Sequence, residues 1–170
     1  MDALTHAVEA YTNRWPHAET AFHAVAAVRM IFANLPRACA DGEDVAAREA
    51  MLLASFYAGL AFTKAYAGYV HAFSHKVGGM YGVPHGLGNA ILLPYVLDFL
   101  KDAPLAEQRL AELAVAIVEH DVAAAGLELP QSDQRAVVAV AARSDGAVVE
   151  PQRLRQHQRR IGLRDRNRAR

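Results

Sequence analysis

Apolar residues recur at intervals of three and four along most of the first 118 positions, the repeat of helices with one buried stripe each. A first amphipathic helix is expected from Asp2 to about Asn13, stopped by Trp15-Pro16. Ala18 to Leu35 sets Phe22, Val25, Val28 or Arg29, Phe32 and Leu35 on one stripe before Pro36, and "RACADGED" reads as a polar connection. Asp44 or a neighbour then caps a long helix through "VAAREAMLLASFYAGLAFTKAYA". Its small residues Ala54, Ser55, Ala58, Gly59 and Ala61 suit a central helix approached closely by others. Its apolar run, Ala50 to Phe62, is shorter than a membrane span and reads as a buried helix. A short helix from Tyr69 to about Val77 is expected to break at Gly78, Gly79 and Gly82. Pro84 and Pro104 each stand where a new helix can begin, and Pro94 is expected to kink the one between. No strand alternation is sustained, so the fold class is all-α, a helical bundle.

Composition agrees with this and narrows the setting. Apolar residues make up 53% of the 170 and charged residues 21%, as in a folded soluble chain. The single cysteine, Cys39, excludes an internal disulfide and fits a reducing compartment. "MDALTHAVEAYTNRW" has no basic segment followed by an apolar one, so no signal peptide is read and the cytoplasm is expected, with no membrane association. Net charge is zero, but the average hides a split. Pro151 to Arg170 holds eight arginines and one aspartate. Beyond about residue 119 the helical periodicity weakens, apart from a candidate buried segment at 136–142. The region 119–170 therefore reads as a divergent, partly disordered, arginine-rich tail, with a composition that a reading-frame change in a GC-rich gene would also give. Such a tail could bind a polyanion, but it carries no aromatic residue to stack on bases, so nucleic acid is not the expected partner.

The chemistry concentrates in "HAFSHKVGGMYGVPHG", which holds three of the eight histidines. His71 and His75 stand four apart and share a helix face, as do Asp2 and His6 near the start. His85 follows a glycine-rich reversal that can return it towards His71. Aspartate and imidazole together suit Fe²⁺, Zn²⁺, Co²⁺ or Mn²⁺ rather than a soft thiolate-seeking ion. A lone Asp-x3-His pair is common on helices that bind nothing. His17, His23, His120 and His157 have no such company and read as ordinary histidines. Glu9 and Glu49 read as solvated helix charges. "EHD" at 119–121 lacks the further ligands of a metal phosphohydrolase.

Taken together, "DALTHAVEAY", the His-x3-His-x2-Gly segment and "PHGLGNAILLPYV" resemble the helical C-terminal domain of the iron-containing (group III) alcohol dehydrogenases. The resemblance covers about residues 1–118 without a gap. It implies that Asp2, His6, His71 and His85 hold a divalent metal, Fe²⁺ or Zn²⁺. It implies also that His75 is not a ligand but lines the site beside the nicotinamide as a cofactor contact, where a catalytic role as proton relay or orienting group is expected of it. The glycines would turn the chain between ligands.

The implied activity is interconversion of a small alcohol with its aldehyde or ketone, using NAD(P). The family's enzymes carry an N-terminal α/β dinucleotide-binding domain, and none is expected here. "GGMYGVPHG" lies between helices rather than after a strand, and so is no dinucleotide fingerprint. Met1 fits a family position inside the longer chain. The fragment is accordingly expected to be inactive by itself and to expose an apolar, adhesive interdomain surface, with the oligomeric state left open between monomer and homo-oligomer. A glycerol dehydrogenase or a dehydroquinate synthase-like sister enzyme is the alternative, and a non-enzymatic fragment with a polyanion-binding tail is another.

Overall fold

A computed structural model describes residues 1–14 and 17–124, with side chains described up to residue 118. Trp15-Pro16, the segment 136–142 and the arginine-rich end lie outside the described residues, as does most of the division proposed for 119–170. Among the described residues every regular element is a helix. They are α1 (Asp2–Thr12), α2 (Ala18–Ala40), α3 (Val45–Ala65), α4 (Tyr69–Tyr81), α5 (His85–Leu100) and α6 (Pro104–Ala124). The all-α reading holds.

Helices α1, α2 and α3 pack mutually, α4 pairs with α5, and α6 crosses α1 and α2. Alanine makes the first group possible. Ala7, Ala10, Ala24, Ala27, Ala58, Ala61 and Ala65 are all buried in one cluster with Val8, Val28, Val70, Leu93, Val96 and Leu113. A methyl group contributes little burial energy, about 0.8 kcal/mol per CH₂-sized unit. It does let helix backbones approach closely, where dispersion accumulates over many atoms. Polar ties lock α6 onto this group. Tyr11 Oη donates to Glu112 Oε2 at 2.6 Å, Arg109 donates to the Tyr11 carbonyl at 3.2 Å, and Arg29 Nε donates to the Ala116 carbonyl at 3.1 Å.

Several boundaries differ from the sequence reading. Helix α2 runs through Pro36 to Ala40. The proline loses the hydrogen bond to the Phe32 carbonyl and crowds that carbonyl with its ring, yet it stands only one turn before the end of α2. The stripe is also rotated. Phe22 and Phe32 are exposed, while Thr20, Ala24, Ala27, Val28 and Ile31 are buried. Helix α4 continues through Gly78 and Gly79 and ends only at Gly82, whose φ of +67° is the left-handed turn. Asp44 caps α3 as expected, accepting from the Ala47 N–H at 3.0 Å.

Helix α3 is not buried all round. Its alanines face α1 and α2, but Leu52, Leu53, Phe56 and Leu60 are exposed, Ser55 faces out and a Cβ on Gly59 would meet nothing. By length and composition alone α3 would suffice to cross a membrane, contrary to the shorter run read from the sequence. Its alanine face is nevertheless part of the packed core.

Candidate metal centre

Three helix ends meet at one point. The first two turns of α1 supply Asp2 and His6, the first two turns of α4 supply His71 and His75, and α5 opens with His85. Gly82 turns α4 out, Pro84 stands as the N-cap of α5, and the carbonyl of Pro84 accepts from Leu87 and Gly88. This brings His85 back against α4. A Cβ on Gly88 would lie 3.4 Å from Ser74 Cβ, so the two helices are in contact there.

Asp2 is the hub. Its Oδ1 lies 3.1 Å from His85 Nε2 and 3.2 Å from His71 Nε2, and its Oδ2 lies 3.6 Å from His6 Nδ1. Ligand atoms of Asp2, His6 and His71 all lie within 4.8 Å of one another. His6 stacks on Phe62 and on His71, with ring centroids 4.1 Å and 4.0 Å away. His75 is exposed and stacks on His85 at 4.9 Å. The other described histidines are elsewhere in the fold, His17 at the N-cap of α2 and His23 stacked on Tyr57.

Electrostatics follow from this crowding. Burial works against the charge of Asp2, but His6, His71 and His85 outweigh it and hold the carboxyl below its usual range. Burial and the neighbouring His71 push the His6 imidazole down. His71 goes the other way, since Glu9 and Asp2 overcome its burial and raise it.

The chemistry of the donor set fits a divalent cation. Asp2 Oδ1 lies within hydrogen-bond distance of both His71 Nε2 and His85 Nε2, yet each of the three is a lone-pair atom when those nitrogens carry no proton. Metal–ligand bonds of about 2.0–2.2 Å in a tetrahedron set ligand atoms about 3.3–3.6 Å apart. The spacings of 3.1, 3.2 and 3.6 Å lie close to that range. Asn89 supplies a donor to the same point. Its Nδ2 donates to Asp2 Oδ1 at 2.8 Å and lies 3.4 Å from His71 Nε2 and 3.3 Å from His85 Nε2. Its Oδ1 is buried without a partner.

Sequence reasoning missed three residues of the cluster. Asn89 repeats the four-residue spacing, one turn beyond His85, and that was its available signal. Ser74 is buried, with Oγ 3.5 Å from His85 Nδ1. Glu9 reverses its sequence reading, because it is buried rather than solvated. Its Oε2 lies 2.5 Å from His71 Nδ1, and its Oε1 accepts from the Val70 N–H at 2.6 Å. Burial raises a carboxyl, but the hydrogen bonds from His71, Gly68 and Val70 hold this one low. Glu9 follows His6 by three positions, so the helix repeat brings both to the α4 side of α1.

Residues 1–156 match the sequence model of the "Fe-containing alcohol dehydrogenase family, C-terminal". The 1,3-propanediol dehydrogenase of Citrobacter freundii is 50% identical over 99 residues, which is 58% of this chain and 26% of that protein. The NAD-dependent methanol dehydrogenase of Bacillus methanolicus is 40% identical over 140 residues, 82% of this chain and 35% of its own length. A crystal structure of 1,3-propanediol oxidoreductase superposes with a TM-score of 0.66 at 37% identity, over 96% of this chain and 38% of that one. The chain thus spans between a quarter and two fifths of the length of these relatives.

Proposed function

The chain belongs to the Fe-containing alcohol dehydrogenase family, matching its helical C-terminal domain, and on that premise we propose that it forms the metal-binding half of an NAD(P)-dependent alcohol dehydrogenase. The observation that carries this reading is the meeting of Asp2 Oδ1 with His71 Nε2 and His85 Nε2 at 3.2 and 3.1 Å, from three separate helices. Asp2, His6, His71 and His85 are the proposed ligands of Fe²⁺, with Zn²⁺ as the other ion the same donors suit.

When bound, the metal supplies Lewis acidity at an alcohol's oxygen and the nicotinamide supplies the hydride acceptor. The chain's own residues supply position. The charge of Asp2 and the imidazoles of His71 and His85 define where the substrate oxygen would sit. His75, exposed beside His85, is assigned to the nicotinamide side, where it can receive the proton that leaves the hydroxyl. Phe62 and the ring of His71 fix His6 by stacking, which limits its freedom at the site.

Among the described residues there is no strand, and hence no strand-to-helix glycine loop to hold a pyrophosphate. A separate dinucleotide-binding domain is assigned that task, and the chain by itself is expected to show no NAD⁺-dependent alcohol oxidation. That two relatives are a 1,3-propanediol dehydrogenase and a methanol dehydrogenase supports a small alcohol as substrate. A cytoplasmic setting belongs to the same reading.

Metal content after anaerobic purification tests it, with His71→Ala and His85→Ala alongside. About one Fe²⁺ or Zn²⁺ per chain, lost in both variants, is the expected result. Wild-type protein with a full helical spectrum that takes up no metal on titration would overturn the ligand assignment.

A further inference from the structure

Glu9 is the one acidic residue buried among the described side chains. A carboxylate so placed is costly unless each oxygen is hydrogen-bonded. The start of α4 provides those bonds. Gly68, the N-cap of α4, offers no side chain of its own to the free N–H groups of the first turn. Glu9 reaches across from α1 and takes that place, with Oε1 accepting from the Val70 N–H at 2.6 Å. The positive end of α4 favours the negative charge there. Its other oxygen, Oε2, lies 2.5 Å from His71 Nδ1.

The contact of Glu9 with His71 has a chemical consequence. A carboxylate can only accept, so a neutral His71 facing Glu9 carries its proton on Nδ1. Asp2 competes for the opposite tautomer, but its Oδ1 stands 3.2 Å from Nε2 and Asp2 is half exposed. The shorter, buried contact prevails. We infer that Glu9 is the positioning residue that fixes the Nδ1–H tautomer of His71 and thereby commits Nε2 to the metal. The inference rests on the reading of His71 as a ligand.

Gly68 is the clearance this arrangement needs. A Cβ there would lie 2.7 Å from Glu9 Oε1 and 3.1 Å from its carboxyl carbon. Any side chain at position 68 would press the carboxylate away from Val70 and His71. One absent methyl group on the loop before α4 therefore helps to set the protonation pattern of a ring on α4.

Glu9→Gln separates this role from simple packing, because the amide has the same shape. Its single oxygen must serve the Val70 N–H, a backbone donor that cannot adapt. The amide NH₂ then faces His71 Nδ1 and forces it to accept, which moves the imidazole proton to Nε2 and blocks ligation.

Nitrogen-15 histidine NMR of the metal-free chain, at a pH where the ring is neutral, reads the tautomer directly. Zinc affinity is measured in parallel by chelator competition, and helicity by circular dichroism. Wild type is expected to carry the His71 proton on Nδ1. Glu9→Gln should reverse it and weaken zinc binding about 10–100-fold with helicity unchanged. Gly68→Ala should weaken zinc binding in the same direction. A wild-type His71 protonated on Nε2 would overturn the inference, even were the variants not to fold. So would a Glu9→Gln protein that keeps both Nδ1–H and wild-type zinc affinity, or a Gly68→Ala protein unchanged in both. Wild type with Nδ1–H but no zinc binding would support the hold of Glu9 on the ring while overturning the metal-site reading.

Discussion

Asn89 donates its amide N–H to Asp2 Oδ1 at 2.8 Å across 87 positions of sequence. The same oxygen faces His71 Nε2 and His85 Nε2, so one neutral donor sits among atoms that would otherwise present only lone pairs to each other. Asn89 thus stands in part for a positive charge.

That relationship orders two substitutions. Asn89→Asp sets a second buried carboxylate against Asp2 and should destabilise the metal-free protein by about 2–4 kcal/mol. Asn89→Ala removes one donor from an oxygen that water can reach, and should cost about 1–2 kcal/mol. Added Zn²⁺ should narrow the gap between the two, since a cation offsets the extra negative charge. Urea unfolding with and without metal reads this. Equal losses for both variants, indifferent to metal, would mean that Asn89 contributes packing alone.

The glycines of α4 sort by backbone geometry rather than by proximity to ligands. Gly79 is helical and a Cβ there would meet nothing, so Gly79→Ala should stabilise by about 0.5–1 kcal/mol. Gly82 adopts φ +67° as the C-cap, and Gly82→Ala should destabilise by about 1–2 kcal/mol. Thermal denaturation distinguishes them, and a stabilising Gly82→Ala would contradict the left-handed cap.

Much of this was legible in the sequence, and the parts that were not have physical reasons. Helix existence followed from apolar spacing, and the four ligand candidates followed from paired i,i+4 positions and a family resemblance. The stripe of α2 was misplaced because aromatic residues looked like core, whereas the packed face is built of alanine. The extent of α4 was missed because two glycines within a helix cost only about 1 kcal/mol each, which packing of α4 on α5 can absorb. Glu9 was invisible for a different reason. Burial of a carboxylate depends on donors at Gly68, Val70 and His71, and nothing local to α1 announces them.

The alanine core makes a further inversion of the usual expectation. Ala58 is 1% exposed and Leu52 is 74% exposed, although both lie on α3. Ala58→Leu should cost about 1–3 kcal/mol by overpacking the helix contact. Leu52→Ala should change stability by no more than about 0.5 kcal/mol. Chemical denaturation of the two variants checks the orientation of α3, and a large loss in Leu52→Ala would show that the exposed face is covered.

Tyr11 gives the fold a titratable tie between α1 and α6. Burial comes first in raising its hydroxyl, followed by its hydrogen bond to Glu112, and together they push it up to about 12 from an ordinary value near 10. A group raised on folding contributes stability that is full below the unfolded value and is lost as pH climbs through the folded one. The tie should therefore hold to about pH 10 and fail progressively towards pH 12. Deprotonation would leave phenolate facing carboxylate at the present 2.6 Å contact. Tyr11→Phe removes that titration along with the hydrogen bond. At neutral pH the variant should be about 1–2 kcal/mol less stable, a value discounted because Glu112 is partly exposed. Above pH 10 wild type should lose stability faster than the variant, so that the two denaturation midpoints converge. Parallel curves up to pH 12 would mean that the hydroxyl of Tyr11 does not titrate against Glu112, and that α6 is held to α1 by the contacts of Arg109 and the apolar core instead.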